Sequence, residues 1–294
     1  MGFETQLLTL KAQGEGEGEK GVTTIGDKKT EGGGLQWIEE SFTDFPKGIN
    51  WRSYVVCDVA YSDVNNWLWT PFVEKRTANR LYIEVKFSMR DCSLFPGTAL
   101  SCKETFSLLY YEFDVATKEP PPWQLESYKL VDRIAADEGR FTQSNSVIFN
   151  TEIRSIPVTK KGVYFAFRDQ GACISLLAIK IYYISCPRTT VGLATFEETP
   201  AGPELTSIVK VKGECVRHAV LTDRDSSPTF LCKADGTWKY LSGGCVCQAG
   251  YEADDKNQTC KAQIQFAGNG RSFLVGQPIR FSSSGDDVIS MRNE

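Results

Sequence analysis

Apolar and polar side chains alternate along much of the chain from Leu35 to Tyr183, which is the pattern of half-buried β-strands. In the clearest run every second residue is apolar, at Ile83, Val85, Phe87 and Met89. The same period recurs in three further runs, at Phe106, Leu108 and Tyr110, at Val163, Phe165 and Phe167, and at Leu177, Ile179, Ile181 and Tyr183. Gly, Pro, Asn or Asp residues bound each run, so the pattern predicts a series of short strands.

No stretch of comparable length shows the period of an amphipathic helix. Many short strands without intervening helices predict an all-β fold, an antiparallel β-sandwich whose long connections carry any binding function. The longest connection runs from about Val115 to Ser127 and is rich in proline. Residues 14–34 are mostly Gly, Glu, Lys and Thr with almost no large apolar side chains, so we expect a flexible insert there.

After Cys186 the chain changes character, because short segments are separated by closely spaced cysteines. The chain has ten cysteines in all, at positions 57, 92, 102, 173, 186, 215, 232, 245, 247 and 260. An even and locally dense set predicts structural disulfides in an oxidising, extracellular setting. Zinc is the competing interpretation, but no Cys-x-x-Cys pair exists and the only histidine is His218. The spacing predicts a small disulfide-rich domain, does not choose the pairing, and predicts no metal site.

Composition and motifs narrow the function further. Lys and Arg number 33 against 37 Asp and Glu, so the chain lacks the basic surface expected of a nucleic-acid partner. The longest apolar run, Ala172 to Ile184, is interrupted by Lys180 and is shorter than the roughly 18 residues of a membrane span, so we expect no direct membrane insertion by this chain. No phosphate-binding glycine motif or nucleophile elbow is present. We therefore expect a non-enzymatic protein that needs no cofactor.

Six segments carry a recognisable pattern. They are Asn66-Trp67-Leu68, Met89-Arg90-Asp91-Cys92, Ser101 to Phe106, Ile134 to Glu138, Asn150 to Arg154, and Phe165 to Cys173. Together they resemble the ligand-binding domain of Eph (ephrin) receptor tyrosine kinases. After Cys186-Pro187 the resemblance continues into that family's cysteine-rich region, at Phe196 to Thr199, Gly236-Thr237-Trp238 and Cys245 to Glu252. Together these segments span most of residues 35–261.

The resemblance implies a jelly-roll β-sandwich followed by a small disulfide-rich, sushi-like domain. We expect an ephrin-binding jelly-roll domain over residues 3–187, a cysteine-rich sushi/EGF-like region over residues 188–262 and a tail, residues 263–294, to which we assign no packed structure. The family implies disulfides Cys57–Cys173 and Cys92–Cys102. The sushi pattern implies Cys186–Cys232 and Cys215–Cys245, which leaves Cys247 for Cys260.

In this family an apolar loop of the ephrin enters a channel between sandwich loops. The resemblance implies that Arg90 pairs with a ligand carboxylate. It also implies a channel wall formed by Val56, Cys57, Asp58, Val147, Cys173, Ser175 and Leu177. Core packing is the competing interpretation for Val147 and Leu177, and an ordinary surface arginine is the competing interpretation for Arg90. The segment from Pro46 to Tyr54 is shorter than is usual in the family, which predicts a trimmed channel edge.

The resemblance predicts an extracellular chain, held at the plasma-membrane surface in its full-length parent, that binds ephrins for contact-dependent signalling. Side-by-side receptor clustering through the cysteine-rich region is also implied. Asn257-Gln258-Thr259 matches the N-glycosylation sequon, consistent with secretion. Two alternatives remain open: a secreted soluble ephrin decoy, and a carbohydrate-binding jelly roll.

Overall fold

The computed structural model of the protein describes residues 2–7, 11–12, 37–44, 49–97, 102–116, 125–142, 147–223, 226–266 and 272–274. The first part of the chain forms β1 (Gly2–Leu7), β2 (Lys11–Ala12), β3 (Ile38–Asp44), β4 (Ile49–Cys57), β5 (Asn66–Trp69), β6 (Val73–Glu74), β7 (Arg80–Met89), β8 (Thr105–Phe113), β9 (Lys129–Ala135), β10 (Asn150–Pro157), β11 (Gly162–Asp169) and β12 (Cys173–Cys186). The later strands are β13 (Thr189–Val191), β14 (Ala194–Phe196), β15 (Thr199–Pro200), β16 (Ile208–Lys212), β17 (Glu214–Cys215), β18 (Ala219–Leu221), β19 (Thr229–Lys233), β20 (Trp238–Ser242), β21 (Cys245–Cys247), β22 (Tyr251–Asp254), β23 (Thr259–Ala262), β24 (Ile264–Phe266) and β25 (Ser272–Leu274).

Two sheets build the first part of the chain into a β-sandwich. The first sheet has the order β10-β7-β12-β4-β3, with β1 and β15 also paired to β12. The second has the order β2-β5-β11-β8-β9, with β6 also paired to β11. The described residues contain no α-helix, and their helical turns are the short 3₁₀ segments Cys92–Leu94 and Leu125–Ser127. The expected all-β sandwich is confirmed.

The core lies between the two sheets and is built from the inward positions of the alternating strands. On β7, Ile83, Val85 and Phe87 are fully buried, as the period-two pattern predicts. The Phe87 ring meets the edge of Phe106 at a centroid distance of 5.2 Å. The side chains between these core positions on β7 face outward from the sandwich. The second sheet buries residues on both of its faces, because a separate cluster outside the core contains Trp67, Trp69, Leu109, Tyr128, Tyr164 and Ala166.

The chain divides into two compact units. The first comprises residues 1–187, 199–209 and 232–238, and the second comprises residues 188–198, 210–231 and 239–294. In the second unit Phe196 is fully buried against Phe230, at a ring-centroid distance of 5.3 Å. Gly213 lies against the Phe196 ring so closely that an added Cβ would stand 2.7 Å from it. This aromatic contact therefore requires glycine at position 213.

The remaining expectations from the sequence concern the insert, the proline-rich connection, the tail and membrane insertion. The insert predicted at residues 14–34 lies outside the described residues, as do residues 117–124 of the proline-rich connection. In the tail, to which no packed structure was assigned, β24 and β25 pair as an antiparallel hairpin. No helix in the described part of the chain has the length and apolar character needed to cross a membrane.

Candidate functional site: a cavity over a disulfide on the outer sheet face

A cavity of about 440 Å³ lies on the first sheet, on the side opposite the core. Four neighbouring strands, β7, β12, β4 and β3, form its base. Its lining residues are Glu40, Ser53, Val55, Cys57, Ser88, Arg90, Thr142, Val147, Phe149, Cys173, Ile174, Ser175 and Leu177. Apolar and polar groups both reach the cavity, so its surface suits a partly apolar ligand that also carries polar groups.

Strand alternation explains why β4 supplies both core and cavity. Tyr54 and Val56 are buried in the core, whereas Ser53, Val55 and Cys57 line the cavity. The structure therefore places Val56, which is 2% exposed, behind the sheet rather than in the channel wall. We leave Val56 out of the candidate site for this reason.

The Cys57–Cys173 disulfide lies at the base of the cavity. The two cysteines are direct cross-strand partners on β4 and β12, and their Cα atoms are 4.0 Å apart. Both residues line the cavity. The bond therefore links two base strands and gives the cavity an apolar sulfur surface.

A β-bulge in β12 sends Leu177 outward. Leu176 pairs with Phe87 and Ala178 pairs with Lys86, so Leu177 is an extra residue without a partner on β7. The bulge also reverses the alternation, because the core positions are Leu176 before it and Ile179 after it. The prediction that Leu177 shares a face with Ile179 is wrong, and Leu177 lines the cavity instead.

Arg90 directly follows β7, and the peptide group between Met89 and Arg90 makes a hydrogen bond through both its N–H and its carbonyl. The Arg90 amide N–H donates to the Cys173 carbonyl at 2.9 Å, and the Thr142 amide donates to the adjacent Met89 carbonyl at 2.7 Å. Its side chain is exposed, and within the described residues the guanidinium has no hydrogen bond or ion pair. The cavity thus carries a cation on an anchored backbone position, and its guanidinium remains available to a ligand carboxylate.

Glu40 gives the cavity an opposite charge on its far side. It pairs with Ser53 across β3 and β4, while Arg90 follows β7, which is three strands away. At about 4.8 Å between neighbouring strands, the two backbones are roughly 14 Å apart. The cavity is therefore electrostatically polarised from one edge to the other.

Thr142 and residues 147–150 form a rim that Arg140 holds in place. The Arg140 side chain donates to the Phe149 carbonyl at 2.6 Å and to the Asn150 side-chain oxygen at 3.2 Å. The Thr142 hydroxyl accepts from the Ile148 amide at 3.1 Å. Val147 and Phe149, on either side of Ile148, line the cavity while 58% and 39% exposed. Exposed apolar side chains on a braced rim provide contact area for a partner.

Asp58 lies in an internal polar cluster rather than in the cavity. It is fully buried, and the Asn66 side-chain amide donates to it at 2.8 Å. The same amide donates to Asp169 at 3.2 Å. Burial raises the pKa of the Asp169 carboxyl, although the Gly171 and Ala172 amides that donate to it act in the opposite direction. This cluster shapes the turn that leads into Cys173, so Asp58 supports the site indirectly and we leave it out of the ligand surface.

The five disulfides of the structure are the pairs that the resemblance implies: Cys57–Cys173, Cys92–Cys102, Cys186–Cys232, Cys215–Cys245 and Cys247–Cys260.

Asn257, the asparagine of the N-glycosylation sequon, is exposed, and its side-chain nitrogen donates to Asp254 at 2.9 Å. Among the described residues, no group of three or more His, Cys, Asp or Glu side chains is placed to hold a metal ion.

Sequence reasoning missed seven cavity residues, which are Glu40, Ser53, Val55, Ser88, Thr142, Phe149 and Ile174. The period-two pattern contained a signal for three of them. Val55 and Ser88 stand two residues before Cys57 and Arg90, and Phe149 stands two residues after Val147. Thr142 had no such signal, because its place depends on a bridge to Arg90 between distant parts of the chain.

The fold and this cavity define a binding module, a β-sandwich with an outward-facing, disulfide-based cavity, followed by a cysteine-rich unit. The family model described as the ephrin receptor ligand binding domain matches residues 11–186, which is more than half of the chain. The model described as the ephrin cysteine rich domain matches residues 187–247. The chain belongs to the ephrin receptor family.

Curated relatives agree with this assignment. The chain is 40% identical over 252 residues to ephrin type-B receptor 2 of Gallus gallus, covering 81% of this chain and 25% of the relative. It is 44% identical over 215 residues to ephrin type-B receptor 3 of Xenopus laevis, covering 72% and 22%. It is 39% identical over 273 residues to ephrin type-A receptor 7 of Gallus gallus, covering 87% and 26%. The chain thus spans about a quarter of the length of these relatives, and its family matches are to ligand-binding and cysteine-rich domains rather than to a kinase domain.

Proposed function

We propose that this chain is the extracellular, ligand-recognising part of a cell-surface ephrin receptor, and that it binds ephrin proteins through the disulfide-based cavity. The domain assignment supports an ephrin as the ligand, since the matched family model is a ligand-binding domain. Contact-dependent signalling by a parent receptor tyrosine kinase belongs to the same proposal. The chain itself acts by recognition and catalyses no reaction.

Arg90 is the main support for the location of the site. Its backbone is held by two hydrogen bonds, and its guanidinium has no partner among the described residues. A ligand carboxylate that pairs with Arg90 fixes the orientation of the bound segment. Because ion pairs contribute more when they are desolvated, closure of the cavity by the ligand strengthens this contact.

Apolar contacts supply the remaining affinity in this proposal. Val55, Val147, Phe149 and Leu177 line the cavity beside the Cys57–Cys173 disulfide. Burying about 100 Å² of apolar surface contributes roughly 2.5 kcal/mol. An apolar segment of the ephrin, flanked by an acidic residue, therefore matches both the apolar wall and Arg90.

Binding of the oxidised chain to immobilised ephrins of both membrane-anchor classes tests this proposal. We expect saturable binding by the wild type and a loss of at least about tenfold in affinity for Arg90→Glu, which corresponds to about 1.4 kcal/mol. Arg217→Glu makes the same change of charge at an exposed arginine of the second unit and should leave the affinity unchanged. Absence of binding by folded wild type, or equal weakening by both substitutions, would contradict the proposal.

Clustering through the cysteine-rich unit is a further part of the proposal. Val220 and Val246 are cross-strand partners on β18 and β21, and they are 45% and 47% exposed. An exposed apolar pair suits a contact with a second receptor. Sedimentation of the ephrin-bound chain should show self-association that Val220→Asp abolishes, while association that persists in this variant would exclude the pair as the contact.

A further inference from the structure

Two arginines face the same way on the second sheet, on the opposite side of the sandwich from the cavity. Arg168 on β11 pairs in register with Ser107 on β8, and Ser107 pairs with Arg133 on β9. Their chain neighbours Phe167 and Ile134 are buried in the core, so both arginines point outward. Two strand spacings separate their backbones by roughly 10 Å, with the Ser107 side chain between them.

Arg168 is partly buried and oriented by neutral partners. Its Nε donates to the Asn65 side-chain oxygen at 2.6 Å, and its guanidinium lies 5.8 Å from the centre of the Trp67 ring. The Trp67 indole N–H donates to the same Asn65 oxygen at 3.1 Å. These contacts fix the plane of the guanidinium and leave its two terminal nitrogens without partners among the described residues.

No carboxylate of the described residues neutralises this pair. Arg133 is exposed, and its guanidinium has no hydrogen bond or ion pair there. Its neighbour Asp132 is bound instead to Arg154 at 2.6 Å. Burial, followed by the charge of Arg133, lowers the pKa of Arg168. Two cations that face each other without an acid are destabilised until an anion binds between them.

Ser107 adds an unused hydrogen-bonding group to this surface. It is 8% exposed, and its hydroxyl has no hydrogen bond to any described residue. The hydroxyl oxygen is not among the fully enclosed polar atoms, so a ligand can reach it. Placed between two guanidiniums, it can donate to the same anion that they bind.

We propose that Arg133, Ser107 and Arg168 form a binding site for a tetrahedral oxyanion, a sulfate or phosphate group. Guanidiniums bind such groups through paired N–H donors, and the planar fork of Arg168 is already oriented by Asn65. The site is independent of the cavity that contains Arg90. In an extracellular setting the anion is either a free inorganic ion or the sulfate group of a sulfated glycan, and the chemistry of recognition is the same for both.

Calorimetric titration of the full chain tests the site, with sodium sulfate, sodium phosphate and a heparin oligosaccharide as separate probes at matched ionic strength. We expect one inorganic ion to bind per chain. Arg133→Gln and Arg168→Gln should each weaken binding at least about tenfold, because each removes charged hydrogen bonds. Arg217→Gln removes the same charge at an exposed arginine of the second unit and should leave binding unchanged. Melting temperatures in the ion-free state that equal or exceed that of wild type would show that the variants remain folded.

The titration with the heparin oligosaccharide distinguishes a sulfated glycan from a free inorganic ion as the source of the anion. Heparin binding that both Arg133→Gln and Arg168→Gln weaken supports the site and assigns the sulfate to a glycan, while binding of the inorganic ions alone supports the site with a free anion as ligand. No saturable binding of sulfate or phosphate, or equal weakening by Arg217→Gln, would overturn the proposal.

Discussion

In the sandwich a continuous apolar core lies between two sheets, whereas in the cysteine-rich unit few side chains are buried. In the described part of that unit the buried hydrophobic residues are Leu193, Ala194, Phe196 and Cys245. A small unit cannot bury enough apolar surface to offset the entropy of ordering its chain. Its disulfides, Cys215–Cys245 and Cys247–Cys260, therefore carry much of its stability.

The sandwich uses the Cys57–Cys173 disulfide differently. This bond lies on the outward face of a sheet whose other face already packs on the core. It stabilises the domain by closing a long loop, but it also forms part of the proposed ligand surface. Disulfide bonds thus replace a core in the cysteine-rich unit, whereas in the sandwich a disulfide contributes to a candidate binding site.

The largest expected structural effect, the unfolding of a whole unit, follows from removing the Cys215–Cys245 disulfide. We expect the variant with both cysteines changed to Ala to lose about 2 to 5 kcal/mol, enough to unfold a unit with so small a core. Hydrogen exchange should show loss of protection in β18 and β21, while β7 and β11 remain protected. Retained protection in β18 and β21 would contradict the claim that disulfides replace a core in this unit.

Removing the Cys57–Cys173 disulfide should weaken the sandwich without unfolding it. We expect the double Ala variant to lose about 3 to 5 kcal/mol of unfolding free energy because its unfolded chain is less constrained. Ephrin affinity should also fall, since the base of the cavity changes. Urea unfolding and ligand binding measure the two effects separately. Full ephrin affinity in the folded double variant would show that the bond has only a structural role.

Truncation of Phe149 should affect ligand binding alone. Phe149 is partly exposed at the cavity rim, so Phe149→Ala should weaken ephrin binding by about 1 to 2 kcal/mol and leave stability nearly unchanged. Ile153→Ala is the matched control, because Ile153 is an exposed apolar residue of β10 that does not line the cavity. An equal loss of affinity in both variants would place the ligand elsewhere.

The smallest expected effect is pH-dependent and concerns Asp254 in the cysteine-rich unit. Hydrogen bonds from Lys261 and then Asn257 lower the pKa of its carboxyl to about 2. Because the folded-state pKa lies below the usual value of 3.8, the carboxylate contributes stability above about pH 4, and this contribution is lost as the pH falls through about 2.

Melting temperatures measured between pH 7 and pH 2 test this prediction. Asp254→Asn should be less stable than wild type at neutral pH, and the two curves should converge at the acidic end. Asp255→Asn, a change at the exposed neighbouring residue, provides the control. A difference between wild type and Asp254→Asn that does not change with pH would exclude the carboxylate as its cause.

Much of the sandwich core could be predicted from the sequence because its core positions recur at every second residue of a strand. The runs around Ile83 and Phe165 place their apolar residues in the core as expected. The pattern failed at Leu177, where a single inserted residue reverses the facing of β12. A bulge depends on pairing with a distant strand, so local periodicity does not reveal it.

The candidate site was partly predictable for a similar reason. Arg90, Cys57, Cys173, Ser175, Val147 and Leu177 surround one cavity. Val56 and Asp58, next to Cys57, face away from it or lie buried, because adjacent strand residues point to opposite sides. Arg140 had no local signal, since its role is to bind Phe149 and Asn150 across a turn.

A reciprocal charge exchange tests most directly whether Arg90 in the disulfide-based cavity is the ephrin contact. Each acidic residue of the ephrin's receptor-binding loop would be changed to Lys and measured against wild type and Arg90→Glu. We predict that one ligand substitution weakens binding to wild type. The same substituted ligand should bind Arg90→Glu at least tenfold more tightly than the unsubstituted ligand does. If no ligand substitution restores binding, Arg90 does not pair with a ligand carboxylate, and the proposed site is wrong.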